Sequence, residues 1–158
     1  MDSMIRLQKI LCSVDFSESS LEALKHATHL ALNDSAILYL ILTVDSNTYD
    51  YGEILYKSEM SDAESMTEQS LINLLKGKLL EEVPKVIQDK VEMLISYGVP
   101  FVEIIKAAKD NDIDLIVMGT HGRSGILRLL IGSVAEKVIR NAPCPVLTVK
   151  TEENFFDQ

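Results

Sequence analysis

The chain has 158 residues, of which 47% are hydrophobic and 25% are charged. This length and composition predict one soluble globular domain with a core of ordinary size. The formal net charge of −9 argues against a surface that binds nucleic acid or an anionic membrane, and no apolar run has the length of a membrane span.

The pattern of residues 9–33 predicts a strand followed by a helix. Residues 9–14 form a short apolar run that ends at Asp15. Ser19 and Glu22 have the spacing of a capping box, and apolar residues at helical spacing then continue to Asn33. We therefore expect a strand, a turn and a helix in this order.

Residues 36–44 are continuously apolar, which is typical of a central strand that is covered by helices on both faces. Residues 45–60 follow without clean periodicity and contain Tyr49, Tyr51 and Tyr56. We predict a loop here. Its composition fits either a lid over a ligand or a contact with a partner protein.

A second capping box, Ser61 with Glu64, precedes a long amphipathic helix that is expected to reach about Val83. Pro84 is expected to kink or shift this helix. Residues 91–96 predict the third strand.

The remaining elements alternate in the same way. A helix with Pro100 in its first turn closes at Asn111, and strand four covers residues 114–118. A further helix begins near Gly132, and residues 145–149 supply strand five. Five strands alternating with four helices predict an α/β fold, an open parallel sheet with helices on both faces.

We expect residues 1–150 to form a single domain and residues 151–158 to form a frayed tail. The first residues lack the apolar stretch of a signal peptide, so a cytoplasmic location is expected. Cys12 and Cys144 lie in different contexts and predict reduced, structural thiols rather than a disulfide framework.

Glycines mark the segment after strand four. Gly119, Gly122 and Gly125 lie close together, and Gly132 with Ser133 opens the next helix. Glycine lets a ligand approach the backbone, and the first amides of a helix favour an anion, so this arrangement predicts a phosphate site. The alternative is that the glycines only form tight turns and that Ser133 only caps the helix. Neither a P-loop nor a G-x-G-x-x-G motif is present.

A family resemblance rests on these residues. Gly119-x-x-Gly122, nine residues and then Gly132-Ser133 match the G-x-x-G-x9-G-[ST] signature of ATP-binding universal stress proteins, and the likeness continues through the turn at residues 142–146. The chain therefore resembles that branch of the family along most of its length. Two positions differ from common members: Thr43 stands where many have histidine, and Cys12-Ser13 replaces a pair that often includes proline.

The resemblance implies a sheet of order 3-2-1-4-5, a Rossmann-like fold of the nucleotide α-hydrolase type. In such sheets ligands bind beyond the carboxyl ends of the strands where the strand order reverses, here between strands one and four. Asp15 and Gly119, which end these two strands, would converge at that point.

The resemblance also implies the roles of individual residues. Asp15 would contact the ribose of ATP, Val44 would bond the adenine through its backbone, and Met118 would pack on the nucleoside. The amides of the glycine segment would hold the phosphates, and Mg²⁺ would bridge these. The predicted cofactor site comprises Ser13, Val14, Asp15, Val44, Met118, Gly119, Gly122, Arg123, Ser124, Gly132, Ser133 and Val134.

Simpler roles exist for several of these positions. Asp15 precedes a helix and would cap it, while Met118 would be an ordinary core residue. His121 lies between two glycines, and we do not predict a catalytic base there because no nucleophile or second acid is evident beside it.

Three functions remain open at this point. The resemblance favours an ATP-dependent stress or signalling module that forms a homodimer through strand 145–149, an open sheet edge. The second is a slow ATPase or a protein that phosphorylates itself, although phosphoryl transfer needs a positioned nucleophile and base that we cannot identify. The third is a scaffold that acts without ATP.

Overall fold

The computed structural model describes residues 4–44, 68–121 and 131–151. Its five strands are β1 (Lys9–Ser13), β2 (Ile37–Val44), β3 (Val91–Tyr97), β4 (Leu115–Gly119) and β5 (Val146–Val149). All pairs are parallel, and the order across the sheet is β3-β2-β1-β4-β5. The expected 3-2-1-4-5 sheet is therefore confirmed, with the strand reversal between β1 and β4.

The α-helices of the described ranges are α1 (Glu18–Asp34), α2 (Glu68–Glu81), α3 (Pro100–Asp110) and α4 (Ser133–Asn141). The predicted α2 extends two residues too far, because Val83 already bonds the Leu80 carbonyl in a tighter turn before Pro84. A 3-10 helix, Lys85–Lys90, then leads into β3 and was not predicted. None of the helices in these ranges is long and apolar enough to cross a membrane.

The start of α1 differs from the prediction. Ser17, and not Ser19, is the N-cap: its backbone is extended (ψ 156°) and its side chain accepts a hydrogen bond from the Ser20 amide at 3.2 Å. Several hydroxyls follow one another here, and any of them has the chemistry of a cap. The sequence alone could not choose among them, because the choice depends on where the backbone leaves β1.

The core is divided by the sheet into two layers. Ile10 and Cys12 of β1 point toward α1 and α2, whereas Leu11 between them points toward α3 and α4. This alternation is the period of two that a strand imposes on its side chains. Helices therefore cover both faces of the sheet, as the apolar run of β2 indicated.

Both thiols are free. Cys12 is fully buried, and burial raises the pKa of its thiol well above the ordinary range. Burial also raises the pKa of the partly exposed Cys144. Cys12 therefore acts as a small apolar residue of the core, as predicted.

Candidate functional site

A cavity of about 130 Å³ opens at the carboxyl edge of the sheet, beside the reversal between β1 and β4. The predicted site residues that line it are Ser13, Val14, Asp15, Met118, Gly119, Gly132, Ser133 and Val134. The lining also contains Ser20, Thr43, Pro100, Thr120, His121 and Ala135. The fold thus brings the ends of β1 and β4 and the start of α4 around one space.

Asp15 is held by the turn between β1 and α1. Its Oδ1 accepts the Ser17 amide at 2.9 Å, and its own amide donates to Ser20 Oγ at 3.2 Å. Phe16 between them has φ 63°, a left-handed conformation that is rare for a bulky side chain. Such backbone strain persists where the surroundings fix the chain. Asp15 therefore holds the turn that leads into α1, but it is not the cap that one alternative expected, because the N-cap is Ser17. Its Oδ2 has no partner among the described residues.

The N-terminus of α4 forms the opposite wall. Its N-cap is Gly132, which carries no side chain to cap the helix. The first intrahelical bond runs from the Glu136 amide to the Gly132 carbonyl at 3.0 Å. The amides of Ser133, Val134 and Ala135 precede it and have no partner within the described ranges. Three free amides and the positive end of a helix dipole provide a site for an anion.

One predicted phosphate donor is already engaged. The Gly132 amide donates to the Thr120 carbonyl at 2.6 Å, so it ties α4 to the end of β4 and is not a free donor here. The conformation of Gly132, φ −62° and ψ 157°, is open to any residue. What glycine contributes at this position is therefore the absence of a side chain in front of the helix.

The packing of α1 gives Gly119 a reason to be glycine that the sequence did not indicate. A Cβ built on it would lie 2.7 Å from the Ser19 carbonyl carbon and 2.9 Å from the Ser20 amide nitrogen. Real Cβ atoms do not approach other atoms so closely. Glycine is needed here because the first turn of α1 packs on the end of β4.

His121 continues the chain from β4 along the cavity wall. Ser19 Oγ donates to its carbonyl at 2.5 Å, and its Nδ1 lies 2.9 Å from Thr120 Oγ1. Its Nε2 is buried and has no hydrogen-bond partner among the described residues. The residue is thus anchored at its backbone and at one ring nitrogen, and it lines the cavity.

Val44 is not brought to the cavity. Its carbonyl accepts the Gly98 amide at 3.1 Å, and its side chain packs on the α1 side of the sheet. The cavity wall on β2 is instead Thr43, with Pro100 of α3 beside it. Thr43 was noted only as a departure from the family; its signal was a hydroxyl at the end of an otherwise apolar strand.

The loop between β4 and α4 is only partly described. The predicted site residues Gly122, Arg123 and Ser124 lie outside the described residues, as do Tyr49, Tyr51 and Tyr56 and the capping box of Ser61 with Glu64. Within the described ranges no group of three or more His, Cys, Asp or Glu side chains could hold a metal ion.

Comparison with known proteins identifies the family. The profile of the universal stress protein family matches residues 6–150. Universal stress protein MJ0531 of Methanocaldococcus jannaschii is 41% identical over 143 residues, which are 90% of this chain and 82% of that protein. The solved structure of MJ0577, from the same organism, is 32% identical with a TM-score of 0.72 and covers 95% of this chain and 100% of that chain.

A more distant solved structure shows the same fold. It is the universal stress protein from Archaeoglobus fulgidus in complex with dAMP, 22% identical with a TM-score of 0.57, covering 93% of this chain and 100% of that chain. At this identity the likeness concerns the fold alone. The match of the family profile from residue 6 to residue 150, together with the identity to MJ0531, shows that the chain belongs to the universal stress protein family.

Proposed function

We propose that residues 1–150 form one domain that binds ATP in this cavity and acts as a nucleotide-dependent stress or signalling module. The observation that carries the proposal is the N-terminus of α4, whose first amides have no partner among the described residues and lie on the same cavity as Asp15. An anion site beside a carboxylate suits a ligand that has both phosphates and hydroxyl donors.

The strand order arranges the parts of a nucleotide along the cavity. α4 begins after β4, Asp15 follows β1, and Thr43 lies on β2, and these strands are neighbours in the order β2-β1-β4. Phosphates at α4 would place the ribose hydroxyls near the free Oδ2 of Asp15 and the base toward β2 and Pro100. Ser13 and Met118 lie on the face of the sheet that the nucleoside would cover.

The predicted loop residues complete this proposal. The Gly122 amide and the side chains of Arg123 and Ser124 would add donors to the phosphates, a role that rests on the sequence signature. Mg²⁺ usually binds nucleotides through phosphate oxygens and one or two carboxylates, and would neutralise phosphate charge. The Asp15 carboxylate is the one acidic side chain in the described lining.

We further propose that two copies pair through β5. This strand is at the edge of the sheet, and unpaired backbone groups at an edge favour pairing with another chain. Leu147 on β5 and Ile139 on α4 expose 37% and 45% of their surface. Leu147→Lys should shift the chain toward a monomer, which sedimentation analysis measures; an unchanged assembly state would contradict this interface.

The nucleotide proposal is tested with Gly132→Val. The extended backbone at this position accepts valine, but the branched side chain would stand in front of the free amides. We expect calorimetric titration with Mg-ATP to show binding by the native chain and at least a tenfold loss in the variant, about 1.4 kcal/mol. Phosphate release measured in the same samples tests the ATPase alternative.

Gly77→Val is the matched control, because Gly77 lies on α2 with nothing within 4 Å of its Cβ position. It should leave the affinity unchanged. Circular dichroism establishes that both variants are folded. A folded Gly132→Val variant with native affinity would contradict the phosphate site, and a native chain that binds neither ATP nor dAMP would contradict the function.

A further inference from the structure

Three neighbouring strands each carry a hydroxyl on one face of the sheet near their carboxyl ends. These are Ser13 on β1, Thr43 on β2 and Ser96 on β3. Thr43 is paired directly with Ser96, and Ser13 is paired with Ile41, two residues before Thr43 and therefore on the same face. The function proposed above assigns no ligand contact to the hydroxyl of Thr43 or of Ser96.

Thr43 and Ser96 share one hydrogen bond. Their side-chain oxygens lie 3.2 Å apart, and either one can donate. Each hydroxyl has one proton, so the shared bond uses one of the two. The second proton has no acceptor among the described residues.

Thr43 is the member of the pair that faces the cavity. It is 9% exposed and belongs to the cavity lining, whereas Ser96 stands behind it, away from the lining. A buried hydroxyl with unused hydrogen-bonding capacity is costly unless a partner satisfies it. The wall of the cavity on β2 therefore favours a ligand with a polar edge at this point.

The strand order identifies that part of the ligand. Thr43 is separated by β1 from β4, the strand that leads to the start of α4. A nucleotide with its phosphates on the α4 amides and its ribose near Asp15 would direct its base toward Thr43. This step rests on the function proposed above.

We propose that the Thr43–Ser96 pair is a base-recognition site that hydrogen-bonds the edge of a purine. When Ser96 donates to Thr43, the Thr43 hydroxyl donates to a ring nitrogen; when the bond is reversed, the Thr43 oxygen accepts from an exocyclic amino group. Thr43 is the specificity-determining residue, and Ser96 is a positioning residue that acts through it.

The test uses two ligands that differ only in the base. Mg-ATP and the magnesium complex of ribose 5-triphosphate are titrated into the native chain and into Thr43→Val, which replaces the hydroxyl with a methyl group. We expect about a tenfold loss of ATP affinity in the variant, in the range of one lost hydrogen bond, and no change for ribose 5-triphosphate.

Thr28→Val is a matched control for the removal of a buried threonine hydroxyl. Thr28 is 5% exposed, lies on α1 away from the cavity lining, and its hydroxyl has no partner among the described residues. Both affinities should stay native in this variant. Thr43→Ser keeps the hydroxyl and should stay within about threefold of the native ATP affinity, so it separates the hydroxyl from the packing of the side chain.

Ser96→Ala tests the positioning role. We expect a loss of about threefold for ATP, smaller than that of Thr43→Val, and a double variant no weaker than Thr43→Val alone. Native ATP affinity in folded Thr43→Val, or an equal loss for both ligands, would overturn base recognition while the nucleotide site stands. A native chain that binds neither ligand would overturn both proposals.

Discussion

The helices α1 and α4 begin at the same edge of the sheet, but their N-termini are built differently. At α1 the Ser17 side chain accepts the Ser20 amide, and Asp15 accepts the Ser17 amide. At α4 the cap is Gly132, which has no side chain. Both termini carry the same backbone chemistry, but only at α4 do all of the first three amides lack a partner among the described residues, and amides without partners are what an anion site at a helix start requires.

The two termini also differ in what packs on them. The first turn of α1 lies against Gly119, and Ser19 holds the His121 carbonyl. The first turn of α4 instead lines the cavity with Ser133 and Val134. The N-terminus of α1 is thus used for structure, whereas the N-terminus of α4 is the one we propose for a ligand.

The largest effect is expected for Gly119→Ala. The new Cβ would lie within 3 Å of the backbone of Ser19 and Ser20, which cannot move without shifting α1. We expect a loss of about 2–3 kcal/mol in the free energy of unfolding, measured in urea. Gly77→Ala is the control and should stabilise the chain by about 0.5–1 kcal/mol, because it replaces an exposed glycine within α2. Native stability of Gly119→Ala would contradict the close packing of α1 on β4.

The elements that the sequence predicted well are those with a strong local pattern. All five predicted strands begin and end within one residue of the observed ones, because apolar runs bounded by Asp, Asn, Gly or Pro are a local signal. The 3-10 helix Lys85–Lys90 and the choice of Ser17 as cap were missed. Both depend on how the chain meets its neighbours in space, which periodicity does not record.

The site shows the same limit at single residues. Gly132 and Ser133 of the glycine motif line the cavity, but the motif could not show that the Gly132 amide donates to the Thr120 carbonyl. It also could not show that Gly119 is needed for α1. A sequence motif shows which residue types occur together. The hydrogen-bond or packing partner of each atom depends on tertiary contacts between distant parts of the chain.

The second-largest effect concerns the N-terminus of α4. Gly132→Ser would supply α4 with the kind of cap that α1 has, since a serine oxygen at this position accepts an amide of the first turn. Stability should change by only a few tenths of a kcal/mol, about the difference between glycine and serine caps. Affinity for Mg-ATP should fall about tenfold, about 1.4 kcal/mol, because the cap competes with the phosphates. Titration measures this loss; unchanged affinity in the capped variant would show that phosphates do not use these amides.

The reverse change, removal of the cap from α1, should have a smaller effect, and it should lower stability rather than nucleotide affinity. Ser17→Ala removes the cap of α1 and leaves the Ser20 amide without its partner. The expected cost is about 1 kcal/mol in the free energy of unfolding, with nucleotide affinity changed less than about twofold. Urea denaturation and titration measure the two quantities. A variant that loses affinity but keeps its stability would contradict the division between the two termini.

The smallest effect is expected for Glu136→Gln on α4. Glu136 lies in the first turn, where a negative charge favours the helix dipole, and it pairs with Arg140 at 3.0 Å on the exposed surface. Removing the charge should cost about 0.5 kcal/mol at low salt, and less at high salt because exposed charges are screened. The same change removes a charge that repels phosphates at the N-terminus of α4, so ATP affinity should rise up to about twofold at low salt. Glu22→Gln removes an exposed pair with Lys25 on α1 and should leave ATP affinity unchanged. If both variants changed the affinity equally, the effect would come from net charge, and the field at the start of α4 would not be the cause.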